Sequence, residues 1–315
     1  MDKDFDVIVA GELNVDLILN DIESFPEIGK EKLAGEMTLT LGSSAAIFAS
    51  NLSSLETNVA FLGKIGHDEF GTKVLDSLGE KGVETELIIQ SPDLNTGATI
   101  VLNFDEDRAM VTHPGAMEHL TIDDISEEQL ARARHLHFSS YFLQPGIKPD
   151  IVTLFKMAKD LGLTTSIDPQ WDPAEEWDLD LEHLLPYVDV FLPNETELKH
   201  LTGIDDIDRA LDKLKDYGHG LVVKMGNQGS LTLFDGERKH IPPFLNEDVV
   251  DAIGAGDSFN AGFVSKFIQG KSIEECQEFG NLTGAISTTA AGGTTAFTNY
   301  GEIMNTAKTK FGYNK

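Results

Sequence analysis

The sequence has little cysteine, little positive charge and no long apolar run. Its single cysteine, Cys276, excludes an intramolecular disulfide and a zinc site made of cysteines. No run of about 18 apolar residues is present, which excludes a transmembrane helix. The first residues, Met1-Asp2-Lys3-Asp4, are polar and lack the apolar segment of a secretory signal. We therefore expect a cytoplasmic protein.

Basic residues are outnumbered about twofold, with 24 Lys and Arg against 53 Asp and Glu, for a net charge of −29. Such a surface repels nucleic acid and anionic membranes, so we expect neither as a partner. It also repels nucleotides at long range. Any phosphate site in this chain must therefore be locally positive or hold a metal ion.

Short apolar runs alternate with helical patterns along most of the chain. The clearest strands are residues 6–10, 135–139, 188–192 and 220–224, and the clearest helices are residues 42–55, 151–161 and 207–217. This alternation predicts an α/β fold with a mostly parallel central sheet and helices on both faces. We found no linker or internal repeat, and we expect one domain over residues 1–315.

The first third of the chain departs from this alternation. Residues 22–41 contain Pro26 and several glycines and predict loops and edge strands, and residues 98–103 and 109–112 predict further strands. Because no helix separates these strands, we expect a small sheet that projects from the main one.

The loop Asp251-Ala252-Ile253-Gly254-Ala255-Gly256-Asp257 follows an apolar pair and precedes a helix predicted over residues 258–268. Glycines and the N–H groups at a helix start favour a bound anion, and a carboxylate beside them suits a general base for phosphoryl transfer. The alternative is an ordinary turn with Asp257 as a helix cap. This segment alone leaves both interpretations open.

Two further polar groups occur near strand ends. Asn14 and Asp16 are two residues apart, so on an extended segment both side chains lie on one face. They follow the predicted strand 6–10, and open α/β sheets bind ligands at the carboxyl ends of their strands. The alternative is a pair on an exposed loop. His135 and His137 alternate within a strand without a metal-binding partner set, and we expect half-buried structural histidines.

Several separated motifs together resemble the ribokinase-like sugar kinases of the PfkB carbohydrate kinase family. The loop 251–257 resembles the family's signature D-T-x-G-A-G-D, and Pro193-Asn194-Glu195-Thr196-Glu197 resembles its N-x-x-E motif. Residues 42–46 and 63–71 resemble its N-terminal signature. The resemblance implies a three-layer α/β/α sandwich with a β-sheet lid formed by about residues 13–41 and 98–112.

The resemblance also implies an activity and its residues. The expected reaction is ATP-dependent phosphorylation of a hydroxyl of a sugar or sugar-like molecule. Asp257 would be the base, and the backbone of Gly254, Ala255 and Gly256 would bind the transferring phosphate. Asn194 and Glu197 would act on Mg²⁺ and the phosphates, partly through water. The alternative for this pair is a capping box at a helix start.

Other implied positions surround the two substrates. The implied nucleotide-binding residues are Asn194, Lys224, Gly226, Gly229 and Asn281. The implied acceptor-binding residues are Asn14, Asp16, Gly42, Ser43, Arg108, Tyr141 and Gln144. The loop at Asp251 resembles one that holds a monovalent cation such as K⁺ in some relatives, and apolar residues of the lid permit a homodimer.

The sequence departs from the family pattern at positions that concern the acceptor. Ile47 stands where the family often has a sugar-binding Asn, which puts ribose in doubt as the substrate, and Ala252 replaces the usual Thr. Two alternatives to a sugar kinase follow: a nucleoside kinase, favoured by a large aromatic residue that faces a base, and a catalytically silent sensor. Retention of Asp257 argues against the sensor, because a binding protein needs no base.

Overall fold

The computed structural model describes residues 3–104 and 107–314, apart from the side chains of Asp107 and Arg108. Thirteen strands form two sheets in this part of the chain. The strands are β1 (Phe5–Ala10), β2 (Asn14–Asn20), β3 (Glu36–Leu41), β4 (Val59–Gly66), β5 (Ile88–Ser91), β6 (Gly97–Phe104), β7 (Asp107–His113), β8 (Ala133–Ser139), β9 (Thr164–Asp168), β10 (Val190–Phe191), β11 (Gly220–Lys224), β12 (Ser230–Phe234) and β13 (Glu237–Ile241).

The main sheet has nine strands in the order β13-β12-β11-β10-β9-β8-β1-β4-β5. All neighbours from β11 to β5 are parallel, and β12 and β13 add an antiparallel edge. The predicted mostly parallel sheet is confirmed. Because its parallel strands run side by side, their carboxyl ends share one edge, where ligands bind in such folds.

Helices cover both faces of this sheet. They are α1 (Ser44–Ser54), α2 (Glu69–Glu80), α3 (Glu127–Leu130), α4 (Ile151–Asp160), α5 (Leu181–Leu184), α6 (Glu195–Thr202), α7 (Ile207–Leu214), α8 (Ala255–Ile268), α9 (Ile273–Ser287) and α10 (Tyr300–Phe311). Alternate residues of β1 belong to two separate apolar clusters, Ile8 and Ala10 with α4 to α7, and Val7 and Val9 with α1, α2 and α8 to α10. This arrangement is the expected three-layer sandwich.

The small sheet has the order β3-β2-β6-β7, in which β2 and β6 are parallel and the outer pairs are antiparallel. It is the projecting sheet predicted from the first third of the chain. One of its faces carries apolar side chains that meet across the strands. Leu17 pairs with Leu39 and Ile100, and Ile100 pairs with Val111.

Three local expectations differ from the structure. Helix α8 begins at Ala255 rather than Ser258, because Gly254 takes a left-handed φ of 73° and places the rest of the glycine turn inside the helix. Strand β10 has two residues instead of five. Helix α10 was not predicted, since it buries only Ile303 and Ala307 and so has a weak apolar pattern.

The two strand histidines are more deeply buried than the half-buried side chains that we expected. His135 and His137 are fully buried, and both rings contact the hydroxyl of Ser166 at 2.7 Å. Burial lowers the pKa of His135 to about 3, so this ring is neutral. Among residues 3–104 and 107–314, no helix is long and apolar enough to cross a membrane.

Truncation of a central strand residue tests this arrangement. Leu136 lies in β8 between β1 and β9 and is fully buried. We expect Leu136→Ala to lower the free energy of unfolding by about 2–5 kcal/mol, because the change leaves a cavity. Ile28→Ala is the control, since Ile28 is exposed and should change stability by less than about 0.5 kcal/mol. Urea unfolding measures both, and similar losses would contradict the packing described.

Candidate active site

A cleft of about 660 Å³ lies between the carboxyl edge of the main sheet and the small sheet. The small sheet contributes Asn14, Asp16, Thr99, Val101, Met110 and Thr112 to its lining. The main sheet and its loops contribute Glu12, Ser43, Ile47, Ser140, Leu143, Gln170, Trp171, Asn194, Glu197, Lys224, Gly226 and residues 252–257. The structure therefore brings residues 43 and 44 of the N-terminal signature and residues 252–257 of the glycine loop to one cavity.

Asp257 lies in the first turn of α8, and its side chain is 6% exposed. The turn is tightly packed: a methyl group on Gly254 would lie 2.7 Å from Gly293 Cα and 3.1 Å from Ile47 Cγ2. Ser258 N donates to Gly254 O at 2.8 Å and begins the helical hydrogen bonding. The preceding N–H groups, at Gly256 and Asp257, have no intrahelical acceptor, and the helix dipole makes this end attractive to an anion.

A hydrogen-bond network joins Asp257 to the sheet. Gln170 Nε2 donates to Asp257 Oδ1 and to Asp168 Oδ2, both at 2.9 Å. Asp168 is fully buried at the end of β9 and also accepts hydrogen bonds from Lys224 and from Asn260 of α8. Through these contacts, strands β9 and β11 and the start of α8 hold Asp257 in a defined position.

Burial governs the charges in this network. Burial, followed by the charge of Asp168, raises the pKa of Asp257 to about 8, although Lys224 and the Gln170 hydrogen bond act against this rise. Burial alone would lower the pKa of Lys224, but the charges of Asp168 and Glu197 outweigh it and the pKa is raised. Lys224 therefore stays cationic, and its Nζ lies 3.7 Å from the position a Cβ of Gly256 would take.

Asn194 and Glu197 form a capping box at the start of α6. Glu197 Oε1 accepts from Asn194 Nδ2 at 2.7 Å and Oε2 accepts from Asn194 N at 2.8 Å, while Asn194 Oδ1 caps Glu197 N at 2.8 Å. Burial, followed by the charge of Asp168, raises the pKa of Glu197 to about 7. In the described residues, no three carboxylate, histidine or cysteine side chains form a ready metal cluster. A divalent ion at this pair would therefore keep several waters.

Four of the predicted acceptor residues, Asn14, Asp16, Gly42 and Ser43, lie together. Asn14 Nδ2 donates to Asp16 Oδ1 at 3.1 Å and to Thr99 Oγ1 at 3.0 Å. A methyl group on Gly42 would lie 2.8 Å from Asn14 Nδ2 and closer still to Asp16 Oδ1, so a larger residue at this position would displace the pair. Burial raises the pKa of Asp16 to about 6. Ser43 lines the same cleft and caps α1 by accepting from Ala46 N at 2.9 Å.

Tyr141 and Gln144 do not line this cleft, so the structure corrects the expectation that they face the acceptor. Tyr141 is 5% exposed and packs edge-on against Phe142 in the core. Gln144 is fully buried, and its Nε2 donates to Ser139 O and Ser140 O, which holds the turn after β8. That turn brings Ser140 and Leu143 to the cleft instead. The side chain of Arg108 lies outside the described residues.

A second cavity of about 370 Å³ adjoins the cleft and contains the predicted nucleotide positions Lys224, Gly226, Gly229 and Asn281. It shares Lys224, Gly226, Ala252, Ala255 and Gly256 with the cleft, so the two cavities meet at the start of α8. Asn281 Nδ2 already donates to Ile241 O at 3.2 Å and Pro242 O at 3.1 Å. Asn281 therefore shapes the wall of this cavity through the backbone after β13.

Asp251, at the predicted monovalent cation loop, has both carboxylate oxygens engaged. Oδ1 accepts from Ile253 N and Oδ2 from Gly292 N, each at 2.9 Å. Asp251 thus ties the glycine turn to residues 291–294. The expectation of a K⁺ site at this loop stays a prediction.

Reasoning from the sequence missed three residues of this site. Asp168, Gln170 and Glu12 were not among the predicted site residues. Glu12 is 2% exposed and lines the cleft just after β1. A usable signal existed for Asp168 and Glu12, because both are carboxylates at the carboxyl ends of predicted buried strands. No local pattern marks Gln170, whose partner Asp257 is 87 residues away.

Comparison with known proteins gives the family. Residues 4–299 match the model of the pfkB family of carbohydrate kinases. An uncharacterized sugar kinase of Archaeoglobus fulgidus is 31% identical over 235 residues, which are 74% of this chain and 92% of that protein. The ATP-dependent ribose-1-phosphate kinase of Halopiger xanaduensis is 27% identical, over 89% of this chain and 91% of the relative.

The fold is also shared with solved structures. The structure of Arabidopsis thaliana ribokinase complexed with ribose and ATP superimposes with a TM-score of 0.85 at 25% identity, over 97% of this chain and 98% of that one. The sequence resemblance is thus confirmed over nearly the whole chain. This protein belongs to the pfkB family of carbohydrate kinases and is a ribokinase-like enzyme of that family.

Proposed function

We propose that the protein transfers the γ-phosphoryl group of ATP to a hydroxyl of a sugar or sugar-like molecule, with Asp257 as the general base. One observation carries this proposal. Asp257 is buried at the start of α8, where the cleft and the adjoining cavity share Ala255 and Gly256. An acceptor in the cleft and a nucleotide in the adjoining cavity would therefore meet at Asp257.

The proposed reaction follows from these positions. Asp257 takes the proton of the acceptor hydroxyl while the hydroxyl oxygen forms a bond to the γ-phosphorus. The bond from that phosphorus to the β–γ bridging oxygen breaks, which releases ADP. A buried carboxylate with a raised pKa is a stronger base than an exposed one. The backbone of Gly254, Ala255 and Gly256, with Lys224, offsets the charge on the transferring group.

Other proposed features concern the metal and the small sheet. Asn194 and Glu197 would hold Mg²⁺ largely through water, and Mg²⁺ would supply charge neutralisation at the ATP phosphates. K⁺ at the Asp251 loop and a cytoplasmic location remain predictions. Residues 13–41 and 98–112 contain all four strands of the small sheet except Gly97 at the start of β6 and His113 at the end of β7. We propose that this sheet acts as a lid that excludes water.

A nucleoside kinase is the second candidate. Trp171 is 46% exposed and lines the cleft, where its ring offers a flat surface for a base. Trp171 lies in the loop after β9 and not in the small sheet. An acceptor panel that includes adenosine beside ribose separates the two candidates.

Replacement of the base tests the mechanism. We expect Asp257→Asn to lower turnover by about 100-fold or more, because the amide cannot accept the proton, while acceptor binding is largely kept. ADP release with Mg-ATP measures turnover, and calorimetry measures binding. Asp76→Asn, on the exposed side of α2, serves as the control. Unchanged turnover in Asp257→Asn would refute the role of this residue.

The Gln170 contact predicts a pH effect. The hydrogen bond from Gln170 lowers the pKa of Asp257, although burial holds that pKa high overall. Because the base acts deprotonated, kcat/KM should rise with pH through this pKa. We expect Gln170→Ala to shift this rise in kcat/KM to higher pH. Gln269→Ala, exposed at the end of α8, should leave it in place. The contact would be contradicted if the rise in kcat/KM of Gln170→Ala stayed at the same pH or moved to lower pH.

A homodimer through the small sheet is also proposed. Ile100 and Val111 are 42% and 67% exposed and form part of the apolar row with Leu17 and Leu39. Contiguous exposed apolar side chains often mark a protein interface. We expect light scattering to give twice the chain mass for the wild type and a single chain mass for Ile100→Lys. Tyr217 lies in the loop after α7, outside the small sheet, so Tyr217→Lys should stay dimeric. A monomeric wild type would exclude this interface.

A further inference from the structure

The buried carboxylate of Glu12 lies at the floor of the acceptor cleft, beside residues already assigned to it. It follows β1 and lines the cleft together with Asn14, Asp16 and Asp257. Its backbone carbonyl accepts from Ser43 Oγ at 2.7 Å, and its Oε1 accepts from Ala45 N at 3.3 Å. The backbone carbonyl and Oε1 of Glu12 therefore fix the start of α1.

The other carboxylate oxygen, Oε2, has no hydrogen-bond partner with acceptable geometry in the described part of the chain, although it is fully buried. The hydroxyls of Ser140 and Ser43 lie close to the carboxylate, and both residues have left-handed φ values, of 60° and 69°. A buried acceptor without a donor is costly. Such an oxygen at a ligand cleft is suited to receive a donor from the ligand.

The charges around Glu12 indicate which kind of ligand group fits. Burial raises the pKa of Glu12 to about 7, despite the hydrogen bonds that lower it. Asp16 and Asp257 line the same cleft, while Lys224, the basic residue among its described lining residues, is paired with Asp168. A phosphate or carboxylate of the acceptor placed against Glu12 and Asp16 would be repelled, whereas a hydroxyl or ammonium group would be attracted.

Resting on the proposed kinase function, we propose that Glu12 is a specificity-determining residue that accepts a hydrogen bond from a hydroxyl or ammonium group of the acceptor. The acceptor is therefore an uncharged or amino-bearing sugar or nucleoside rather than a sugar phosphate. This assignment separates the chain from a ribose-1-phosphate kinase such as its Halopiger relative.

The test is ADP release with Mg-ATP for wild type and Glu12→Gln. The acceptors are a panel of sugars, amino sugars and nucleosides beside ribose 1-phosphate and fructose 6-phosphate, both of which keep a primary hydroxyl. We expect the wild type to prefer an acceptor without phosphate by at least about tenfold in kcat/KM. In Glu12→Gln, the KM of that acceptor should rise by about 10- to 100-fold, the effect of losing a hydrogen bond to a charged group.

Two further readouts separate this role from a structural one. Gln keeps an oxygen for Ala45 N, so the KM for ATP and the Tm of Glu12→Gln should match those of the wild type and of Glu80→Gln, an exposed control. A lower Tm with an unchanged acceptor KM would show that Glu12 only caps α1 and would overturn the inference. Preference of the wild type for a sugar phosphate would also overturn it.

The failure of the proposed function has a different signature. If the wild type releases no ADP above the acceptor-free rate with any member of the panel, the kinase proposal fails and the inference falls with it. If turnover occurs and Glu12→Gln behaves as the wild type toward every acceptor, only the inference fails.

Discussion

The site depends on one buried ion pair, between Asp168 at the end of β9 and Lys224 at the end of β11. Such a pair is costly to bury unless its remaining hydrogen-bonding atoms find partners. Here Asn260 and Gln170 complete the contacts of Asp168. Because Asn260 belongs to α8 and Gln170 also holds Asp257, the pair fixes the helix start against the sheet. The acceptor cleft and the adjoining cavity meet at that point.

Three residues that line the cleft have a strained backbone. Ser43, Ser140 and Gln170 are non-glycine residues with left-handed φ values, and all three line the cleft. Each such conformation costs about 1–3 kcal/mol and persists only where neighbouring contacts enforce it. Nearby, buried Asp172 accepts three backbone N–H groups, from Ala174, Glu176 and Trp177, and so fixes the loop that carries Gln170 and Trp171.

Much of the fold could be predicted from local pattern, because several strands of the main sheet are apolar on both faces and are separated by helices. Strands β1 and β11 are clear examples, and the glycine loop at Asp257 was visible as a short motif. The side-chain directions of Tyr141 and Gln144 could not be predicted. They depend on the left-handed turn at Ser140, which reverses the chain just after β8.

The contacts that hold the side chains of the site also could not be predicted from local sequence pattern. The Gln170 to Asp257 hydrogen bond joins residues far apart in sequence, and the burial of Glu12 follows from the packing of β1 against α1. Family membership therefore gives the class of reaction, while the acceptor depends on residues that only the three-dimensional structure brings together.

The most direct test of the central claim is a crystal structure with Mg²⁺, a non-hydrolysable ATP analogue and the acceptor that the protein turns over. The account predicts an acceptor hydroxyl within about 2.6–3.2 Å of the Asp257 carboxylate. It also predicts the terminal phosphate against Gly254, Ala255 and Gly256, near Lys224. An acceptor bound away from Asp257, or phosphates bound away from the start of α8, would contradict it.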